Sequence, residues 1–236
     1  MPHIAGPFPE KCQFCQRRSL RVFCNLSDGA LERFDEIAVG VSFPGKAMLF
    51  EEGDPADSIY VICDGQVKLS TISKDGRTMI LRIAGPGDVL GLSATVANLP
   101  HEVTAETIAP ANLKSVSREE FLELLENYTE VGRNTAKTLA KDYHEVFLDA
   151  RRLALSGSAA GRLAQLLIEW AHTAACGKPE LRFTMALTHE ELASMAGASR
   201  ETVTRLLSQF ERDRLIARRG SSLTIVNPSG LAELAQ

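Results

Sequence analysis

Apolar positions recur at helical spacing between residues 188 and 212 and divide this stretch into two short helices. The first helix carries its apolar face on Leu192, Met195 and Ala196. Thr188, with Glu191 three positions later, predicts a capping box at its start. In the second helix the apolar residues fall at i, i+3, i+4 and i+7, namely Val203, Leu206, Leu207 and Phe210. The pattern therefore predicts two helices that each bury one face.

The residues between and after these helices predict how they are connected. Gly197 suits the position just after a helix C-terminus, and Ser199 suits the N-cap of the next helix. Two helices joined by so short a turn form the outline of a helix-turn-helix. Residues 215–218 and 223–226, with a turn at Gly220 between them, add a β-hairpin wing.

Short β-rich runs alternate with turn signals from Phe43 to Phe121. Residues 58–62, 66–70 and 78–83 have the composition of strands, and glycine stands at the corners between them. Strands spaced about ten residues apart in this way predict an antiparallel β-roll or jelly roll. Such a roll can hold a small ligand or be filled by its own side chains, and the sequence leaves both open.

A long helix is predicted after the roll, because seam positions alternate at spacings of three and four residues from Leu122 to Leu153. We assign to a dimer seam Leu125, Gly132, Ala136, Leu139, Tyr143, Val146, Ala150 and Leu153. The alternative is a helix that packs on its own domain through Phe147 and Leu148. A Ser-Gly-Ser segment at residues 156–158 interrupts the seam, and residues 159–175 predict a further amphipathic helix.

These elements predict an α+β protein built from four parts. They are a Cys-rich N-terminal segment at residues 1–27, an antiparallel β-roll sensor domain at 28–121, a dimerisation helix at 122–155, and a winged helix-turn-helix DNA-binding domain at 156–236. A length of 236 residues is sufficient for two sizeable cores.

Charge is distributed unevenly over these parts. The whole chain has a formal net charge of −4, whereas residues 156–236 carry nine Lys and Arg against eight Asp and Glu. Within residues 200–219 there are six Arg against three acidic residues. We therefore expect any nucleic-acid contact in the C-terminal part. The chain has neither a signal-peptide pattern nor a run of 18 apolar residues, which predicts a cytoplasmic protein without a membrane span.

The polar face of the second helix offers the chemistry to read DNA. Arg200 and Arg205 can each donate two hydrogen bonds to guanine, and Glu201 can accept one from cytosine. The alternative is an ordinary surface helix in which Glu201 and Arg205 form an i,i+4 ion pair worth roughly 0.3 kcal/mol. The local excess of arginine favours the DNA-reading interpretation.

Three cysteines lie close together near the N-terminus, at Cys12, Cys15 and Cys24. Lysine and arginine flank them, and positive charge favours the thiolate form that metals bind. Zinc sites and iron-sulfur clusters usually take four ligands, so a fourth would come from Cys63, His3, a carboxylate or an exogenous group. The alternatives are isolated thiols in a tail and, for Cys63, a small buried hydrophobic residue.

Three motifs stand in an order that is similar to a known family: GDPADSIY at residues 53–60, GDVLG at 87–91 and SRETVTR at 199–205. Together with the cysteines and the seam, they resemble the CRP/FNR superfamily of bacterial transcription regulators. The resemblance implies a cyclic-nucleotide-binding-like jelly roll and a homodimer that binds double-stranded DNA and RNA polymerase. It implies that the residues of the DNA interface are Arg200, Glu201, Arg205, Ser199, Thr202 and Thr188, and that they read a palindrome of TGTGA-like half-sites.

Two departures from that family bear on the signal. The cyclic AMP branch holds the nucleotide phosphate with a Gly-Glu and an Arg-Ser pair, whereas here Leu92 follows Gly91 and residues 100–103 contain no arginine. Cyclic AMP is therefore disfavoured. The cysteines resemble those of the FNR oxygen sensors and imply a 4Fe-4S cluster, with zinc as the second choice. Their spacing is wider, and residues 112–115, which align with the barrel ligand of that branch, contain no Cys.

Three functions follow from these patterns. The leading one is a homodimeric transcription regulator whose DNA affinity is set by a redox-responsive iron-sulfur or other metal site at the N-terminal cysteines. The second keeps the regulator but places a small effector other than cyclic AMP in the β-roll, with no cluster on the cysteines. The third is an enzyme of cupin type, which we disfavour because cupins need clustered His and only His101 falls in the roll.

Overall fold

The structure is a computed structural model that describes residues 11–15, 18–72, 78–155, 158–175, 181–185 and 187–235. The chain divides into two units, residues 1–145 and 146–236. None of the helices in the described ranges is both long and apolar enough to span a lipid bilayer.

The N-terminal unit is built around a β-roll of two four-stranded antiparallel sheets. Its elements up to the last strand are α1 (Asp28–Ile37), β1 (Val39–Phe43), β2 (Met48–Phe50), β3 (Ser58–Asp64), β4 (Val67–Ile72), β5 (Thr78–Ala84), β6 (Val89–Leu90), α2 (Leu92–Ala97), β7 (Thr104–Thr107) and β8 (Ala111–Ser117). One sheet has the order β1-β8-β3-β6 and the other β2-β7-β4-β5. The predicted antiparallel roll is confirmed.

The strand β3 separates two hydrophobic cores by the alternation of its side chains. Ile59 and Val61 point into a core formed with α1 and with the helix that follows β8. Ile62 points into the interior of the roll. Successive side chains of a strand face opposite sides of the sheet, so one strand serves both cores. The turn after β3 requires Gly65, because its φ is +90° and a Cβ atom there would lie 2.6 Å from the Cβ of Ala111.

The predicted long helix is two helices, α3 (Arg118–Asn127) and α4 (Thr129–Leu155). Tyr128 lies between them in an extended conformation with φ of −128° and ψ of 97°. Tyr128 and Leu125 pack partly into the core beneath α1. The spacing of three and four residues continues across this break, which is why the sequence pattern did not reveal it.

One face of α4 packs on its own unit. Val131, Asn134, Thr135 and Thr138 are buried there. In the next turns of the helix, Arg82 of β5 binds Asp142 at 2.6 Å and Glu145 at 2.9 Å. The remaining face of α4 is therefore the one that can meet another molecule.

The C-terminal unit continues from α4 with α5 (Ala159–Ala175), β9 (Arg182–Thr184), α6 (His189–Ala196), α7 (Arg200–Arg212), β10 (Ile216–Arg219), β11 (Ser222–Ile225) and α8 (Pro228–Leu234). The predicted two helices and hairpin wing are confirmed. The wing sheet has the order β10-β11-β9, and β9 is a third strand that the sequence pattern did not predict. It has three residues, too few to show an alternating pattern.

Candidate nucleic-acid interface and thiol region

Local hydrogen bonds fix where the two helices of the helix-turn-helix begin. The Thr188 hydroxyl accepts from the backbone N–H of Glu191 at 3.2 Å, and the Glu191 carboxylate accepts from the N–H of Thr188 at 2.8 Å. The Ser199 hydroxyl accepts from the N–H of Thr202 at 3.2 Å. Gly197 ends α6 in the left-handed conformation with φ of 57°. The predicted caps are confirmed, and they set the angle at which α7 leaves the turn.

Helix α7 buries one face and leaves the other in solvent. Val203 and Leu207 are fully buried, and Phe210 is 1% exposed. On the opposite face Arg200, Glu201 and Arg205 are exposed, and none of them has an ion-pair partner among the described residues. The alternative i,i+4 pair between Glu201 and Arg205 does not form, so these charges are available to another molecule.

The carboxylate of Glu201 is held in its charged form. Its own backbone N–H at the start of α7 and the Ser199 hydroxyl lower its pKa, and Arg200 adds to this effect. Unpaired N–H groups at a helix N-terminus favour a negative charge. Glu201 is therefore a permanent acceptor on the exposed face at neutral pH.

The hydroxyl of Thr204 is engaged within the motif. It donates to the carbonyl oxygen of Arg200 at 2.9 Å, and the Nδ1 atom of His189 lies 2.9 Å away. This contact joins the first turn of α6 to α7. The sequence does not single out His189, because a contact between residues fifteen positions apart leaves no periodic pattern.

Arg162 of α5 supports the turn between α6 and α7. Its Nε atom donates to the carbonyl oxygen of Ala196 at 2.7 Å, and its Nη2 atom donates to that of Gly197 at 3.1 Å. A cation at the C-terminal carbonyls of a helix is favourable. The sequence suggested α5 only as a supporting helix and did not single out this residue.

The wing presents basic residues beside α7. Arg218 of β10 binds the Glu211 carboxylate of α7 at 2.5 Å, which links the wing to that helix. On the other face of the wing sheet is a groove of about 260 Å³ lined by Arg182, Ala217, Arg219, Ser222 and Thr224. The Nε atom of Arg182 donates to the Ser222 hydroxyl at 2.8 Å.

Cys12 lies against the buried ion pair of Lys114 and Asp35. The Nζ atom of Lys114 is 3.2 Å from its sulfur, and Lys114 forms an ion pair with Asp35. Asp35 also accepts from the Cys12 backbone N–H at 2.7 Å. Burial raises the pKa of the Cys12 thiol to about 12, because the lowering effect of Lys114 is smaller.

Cys15, Cys24 and Cys63 form a second group. Their thiols are close enough to interact electrostatically, and Arg21 donates to the Cys63 carbonyl oxygen at 3.2 Å and to the Cys24 thiol. Burial raises the pKa of Cys24 to about 11 and also raises that of Cys63. Cys63, one of the possible fourth ligands from sequence, is thus a thiol that meets two N-terminal cysteines.

The metal site at Cys12, Cys15 and Cys24 stays a prediction. In the described ranges, no three Cys, His, Asp or Glu side chains converge as metal ligands. Lys114 and Asp35 bind Cys12, and burial raises the pKa of the Cys12, Cys24 and Cys63 thiols. His3 and Cys176 lie outside the described residues.

The β-roll interior is occupied by its own side chains. The apolar core there contains Phe43, Leu49, Phe50, Ile62, Val67, Ala84, Leu90, Ala105, Ala111 and Leu113. Leu92 is 2% exposed, and His101 stacks on Phe50 with ring centroids 3.7 Å apart. Burial lowers the pKa of His101. The described residues of this core include neither a cation for a nucleotide phosphate nor the clustered histidines of a cupin metal site.

The predicted dimer seam is partly used within the chain. Leu125 lies on α3 and Leu139 on α4, and both pack partly into the core beneath α1. Tyr143 and Val146 are 74% and 67% exposed, and Phe147 and Leu148, which the alternative of packing within the domain would bury, are 55% and 42% exposed. The side chains of Ala150 and Leu153 lie outside the described part of the helix.

The N-terminal segment also contacts the start of α4. The Ser27 hydroxyl and N–H bind the Glu130 carboxylate, the N–H at 3.0 Å. The Nδ2 atom of Asn134 donates to the carbonyl oxygen of Asn25 at 2.9 Å. Direct hydrogen bonds thus connect the cysteine-bearing segment to α4.

Two family models match the chain. One described as a Crp-like helix-turn-helix domain matches residues 161–234, and one described as a cyclic nucleotide-binding domain matches residues 40–128. A relative named as a CRP-like cAMP-activated global transcriptional regulator, from Mycobacterium tuberculosis (strain ATCC 25618 / H37Rv), is 30% identical over 218 residues. The match covers 91% of this chain and 96% of that protein.

A second relative and a solved structure agree with these models. The Fumarate and nitrate reduction regulatory protein of Yersinia pestis is 25% identical, with 98% of this chain and 92% of that protein covered. The structure of FixK2 from Bradyrhizobium japonicum matches with a TM-score of 0.77 and 23% identity, over 85% of this chain and 98% of that one. The FixK2 likeness concerns the fold, while the first sequence relative is a transcriptional regulator by name and the second a regulatory protein by name.

Proposed function

This chain belongs to the CRP/FNR superfamily of DNA-binding transcription regulators, and we propose that it reads a palindrome of TGTGA-like half-sites as a homodimer. Arg200, Glu201 and Arg205 act as the base readers, and Ser199, Thr202 and Thr188 line the same interface. A dimer presents two copies of α7 to half-sites about one helical turn apart. The observation that carries the proposal is the exposed face of α7, on which Arg200, Glu201 and Arg205 form no ion pair with another described residue.

The contacts of Thr204 support the choice of half-site. In the FNR branch that this sequence resembles, a Ser at that position accompanies a TTGAT preference. Here the Thr204 hydroxyl is engaged by the Arg200 carbonyl and His189, while Arg200 extends an additional guanidinium into solvent. An Arg that binds guanine bidentately favours the G of TGTGA.

Binding-site selection from a randomised DNA library tests this proposal. We expect an inverted repeat in which TGTGA-like halves outcompete TTGAT-like halves. The Arg200→Ala variant should lose the preference at one base position in each half and keep the spacing. Selection of direct repeats or of single sites without symmetry would contradict the proposal.

The dimer is proposed to form along the exposed face of α4. Tyr143, Val146 and Phe147 present a row of apolar side chains there, which a second copy of the chain would cover. Light scattering after size exclusion should give a dimer for the wild type and a monomer for Val146→Glu. Leu99→Glu is the matched control, because Leu99 is 55% exposed but lies outside the helix. Equal dissociation by both variants would argue against the α4 seam.

We further propose that the redox state of the N-terminal thiols adjusts DNA binding. The hydrogen bonds of Ser27 and Asn25 to α4 support this, since they connect the thiol-bearing segment with the helix assigned to the dimer. A 4Fe-4S cluster or zinc ion would need Cys12 to leave Lys114 and several thiols to lose protons. Control by the thiols themselves also proceeds through a thiolate, but it needs no set of metal ligands.

Purification without oxygen separates these versions of the signal. A visible absorption band that air bleaches, with stoichiometric iron and sulfide, would favour the cluster, and stoichiometric zinc would favour a zinc site. A metal-free protein whose DNA affinity responds to an oxidant supports control by thiols alone. A metal-free protein with unchanged affinity under oxidant would refute control at the cysteines.

We infer that cyclic AMP is not the effector, although the relative from Mycobacterium tuberculosis is named for it. Leu92 and the filled interior of the roll support this inference. Titration calorimetry with cyclic AMP in large molar excess should show no binding heat, and DNA affinity should not change. A contact with RNA polymerase stays a prediction from the family resemblance.

A further inference from the structure

Lys114 is a charged residue in the middle of a core strand. It pairs with Gly40 of β1 and with Val61 of β3, and it is 6% exposed. Transferring a lysine and its aspartate partner out of water costs free energy, and a well-packed apolar pair often stabilises a protein as well or better. A buried Lys114–Asp35 pair is therefore poorly explained by stability alone and suggests a chemical role.

The geometry brings an amine and a thiol into direct contact. Lys114 Nζ lies 3.2 Å from Cys12 Sγ. Asp35 holds both partners, because one carboxylate oxygen binds the Lys114 ammonium and the other accepts from the Cys12 N–H at 2.7 Å. A single atom inserted between sulfur and nitrogen would therefore require adjustment of the two side chains and no movement of the strand.

We propose that Cys12 and Lys114 form a covalent modification site, in which dioxygen converts the pair to a sulfur–oxygen–nitrogen bridge. The S–H bond of Cys12 and one N–H bond of the neutral Lys114 amine break, while an S–O and an O–N bond form. Sulfur and nitrogen each give up two electrons to dioxygen. One oxygen atom stays in the bridge, and the other leaves as water with the two hydrogens.

Asp35 completes the proton balance of this step. The amine must be neutral to react, and the proton that the ammonium loses passes to the carboxylate that already binds it. Among the described residues, Lys114 donates a hydrogen bond to the Cys12 thiol, whereas it acts on the Cys63 thiol through electrostatics alone. Direct contact therefore favours Cys12 as the thiol that forms the bridge.

The bridge would fasten the N-terminal segment to β8. Through this consequence alone the inference rests on the proposed thiol control, since a fixed segment acts on α4 through the contacts of Ser27 and Asn25. Two equivalents of a dithiol would supply the four electrons and four protons that cleave the bridge and restore thiol, amine and water. The modification is therefore reversible.

Mass spectrometry of the full-length protein tests the site directly. Protein purified without oxygen is exposed to air-saturated buffer, digested and searched for a peptide that joins Cys12 to Lys114. We expect a cross-linked peptide heavier than its two parts by one oxygen less two hydrogens, released by a dithiol. Cys15→Ser should keep the cross-link, whereas Cys12→Ser and Lys114→Arg should abolish it. Lys114→Arg retains a cation for Asp35, and circular dichroism checks that it folds.

Each other result overturns the proposal. These results are no cross-linked peptide in the wild type, a peptide that persists in Lys114→Arg, a disulfide in place of the bridge, or oxygen added to Cys12 without a link to Lys114. DNA affinity is measured separately on the same samples. A cross-link without any change in affinity would confirm the modification site and count against the proposed thiol control.

Discussion

The reading face of α7 and the surroundings of Cys12 both use charged side chains, and they treat them in opposite ways. Arg200 and Arg205 stand in solvent without ion-pair partners in the described chain, held in place by the cap at Ser199. The side chains of Lys114 and Asp35 are 8% and 9% exposed, and they bind one another across 79 positions of sequence.

This difference determines which substitutions each region can accept without a loss of stability. Exposed charged residues on a locally capped helix can be substituted with little change in the free energy of unfolding. DNA binding can therefore determine which residues stand at these positions. A buried ion pair is tied to the packing around it, and removal of one partner leaves a charge without compensation. Substitutions in the two regions should therefore affect different quantities.

Asp35→Asn should have the largest effect, because it leaves the buried Lys114 ammonium without a counterion. We expect the free energy of unfolding to fall by about 3–5 kcal/mol, measured by urea denaturation and circular dichroism. The double variant Asp35→Asn/Lys114→Met should recover most of that loss. Additive losses in the double variant would show that the pair is not coupled as described.

Arg200→Ala should weaken binding to the selected palindrome by about 1–3 kcal/mol and relax one base position. The melting temperature should not change, because the guanidinium makes no ion pair within the described chain. Arg212→Ala is the matched control, since Arg212 is exposed in the last turn of the same helix. Equal and sequence-independent losses from both variants would mean that Arg200 binds phosphate and does not read a base.

The raised pKa of the Cys24 thiol predicts that the protein becomes less stable at alkaline pH. This thiol ionises near pH 9 in the unfolded chain, whereas burial raises its pKa to about 11 in the fold. Between these values the native state binds more protons, so stability falls as the pH rises, by on the order of 2 kcal/mol in total. Urea denaturation from pH 8 upward should show a shallower decline for Cys24→Ala. The same decline in both proteins would contradict the assignment to this thiol.

Ser199→Ala removes the hydroxyl that caps α7 and should cost about 1 kcal/mol of stability. Ser199→Asp keeps a cap but adds negative charge beside the DNA. We expect normal thermal stability for the Asp variant together with weaker DNA binding in a fluorescence anisotropy titration. Unchanged DNA affinity in Ser199→Asp would remove this residue from the interface.

Glu211→Gln should have the smallest effect, because its partner Arg218 is partly exposed and such pairs contribute about 0.2–1 kcal/mol. We expect a slight fall in affinity that is equal for specific and random DNA, since the wing contact does not read bases. Anisotropy titrations on both DNAs measure it. A change in base preference would mean that the wing orients α7.

Local signals were sufficient for the DNA-binding unit. Thr188 and Ser199 cap their helices with hydroxyls only three residues from the N–H groups they bind, so the sequence itself carries the information. The strands of the roll followed in the same way from alternation and turns. Tyr128 shows the limit, because the spacing continues through the break and only packing on the core beneath α1 ends the helix.

By itself the sequence determined the helix-turn-helix, the antiparallel roll, the family and the charged face of α7, because caps, periodicity and exposed charge are properties of neighbouring residues. Only the tertiary structure decided which groups surround Cys12, since that depends on which face of β8 carries Lys114 and where α1 places Asp35. Contacts across 79 and 102 positions of sequence leave no local pattern. The buried ion pair that contacts Cys12 is therefore visible only in the folded chain.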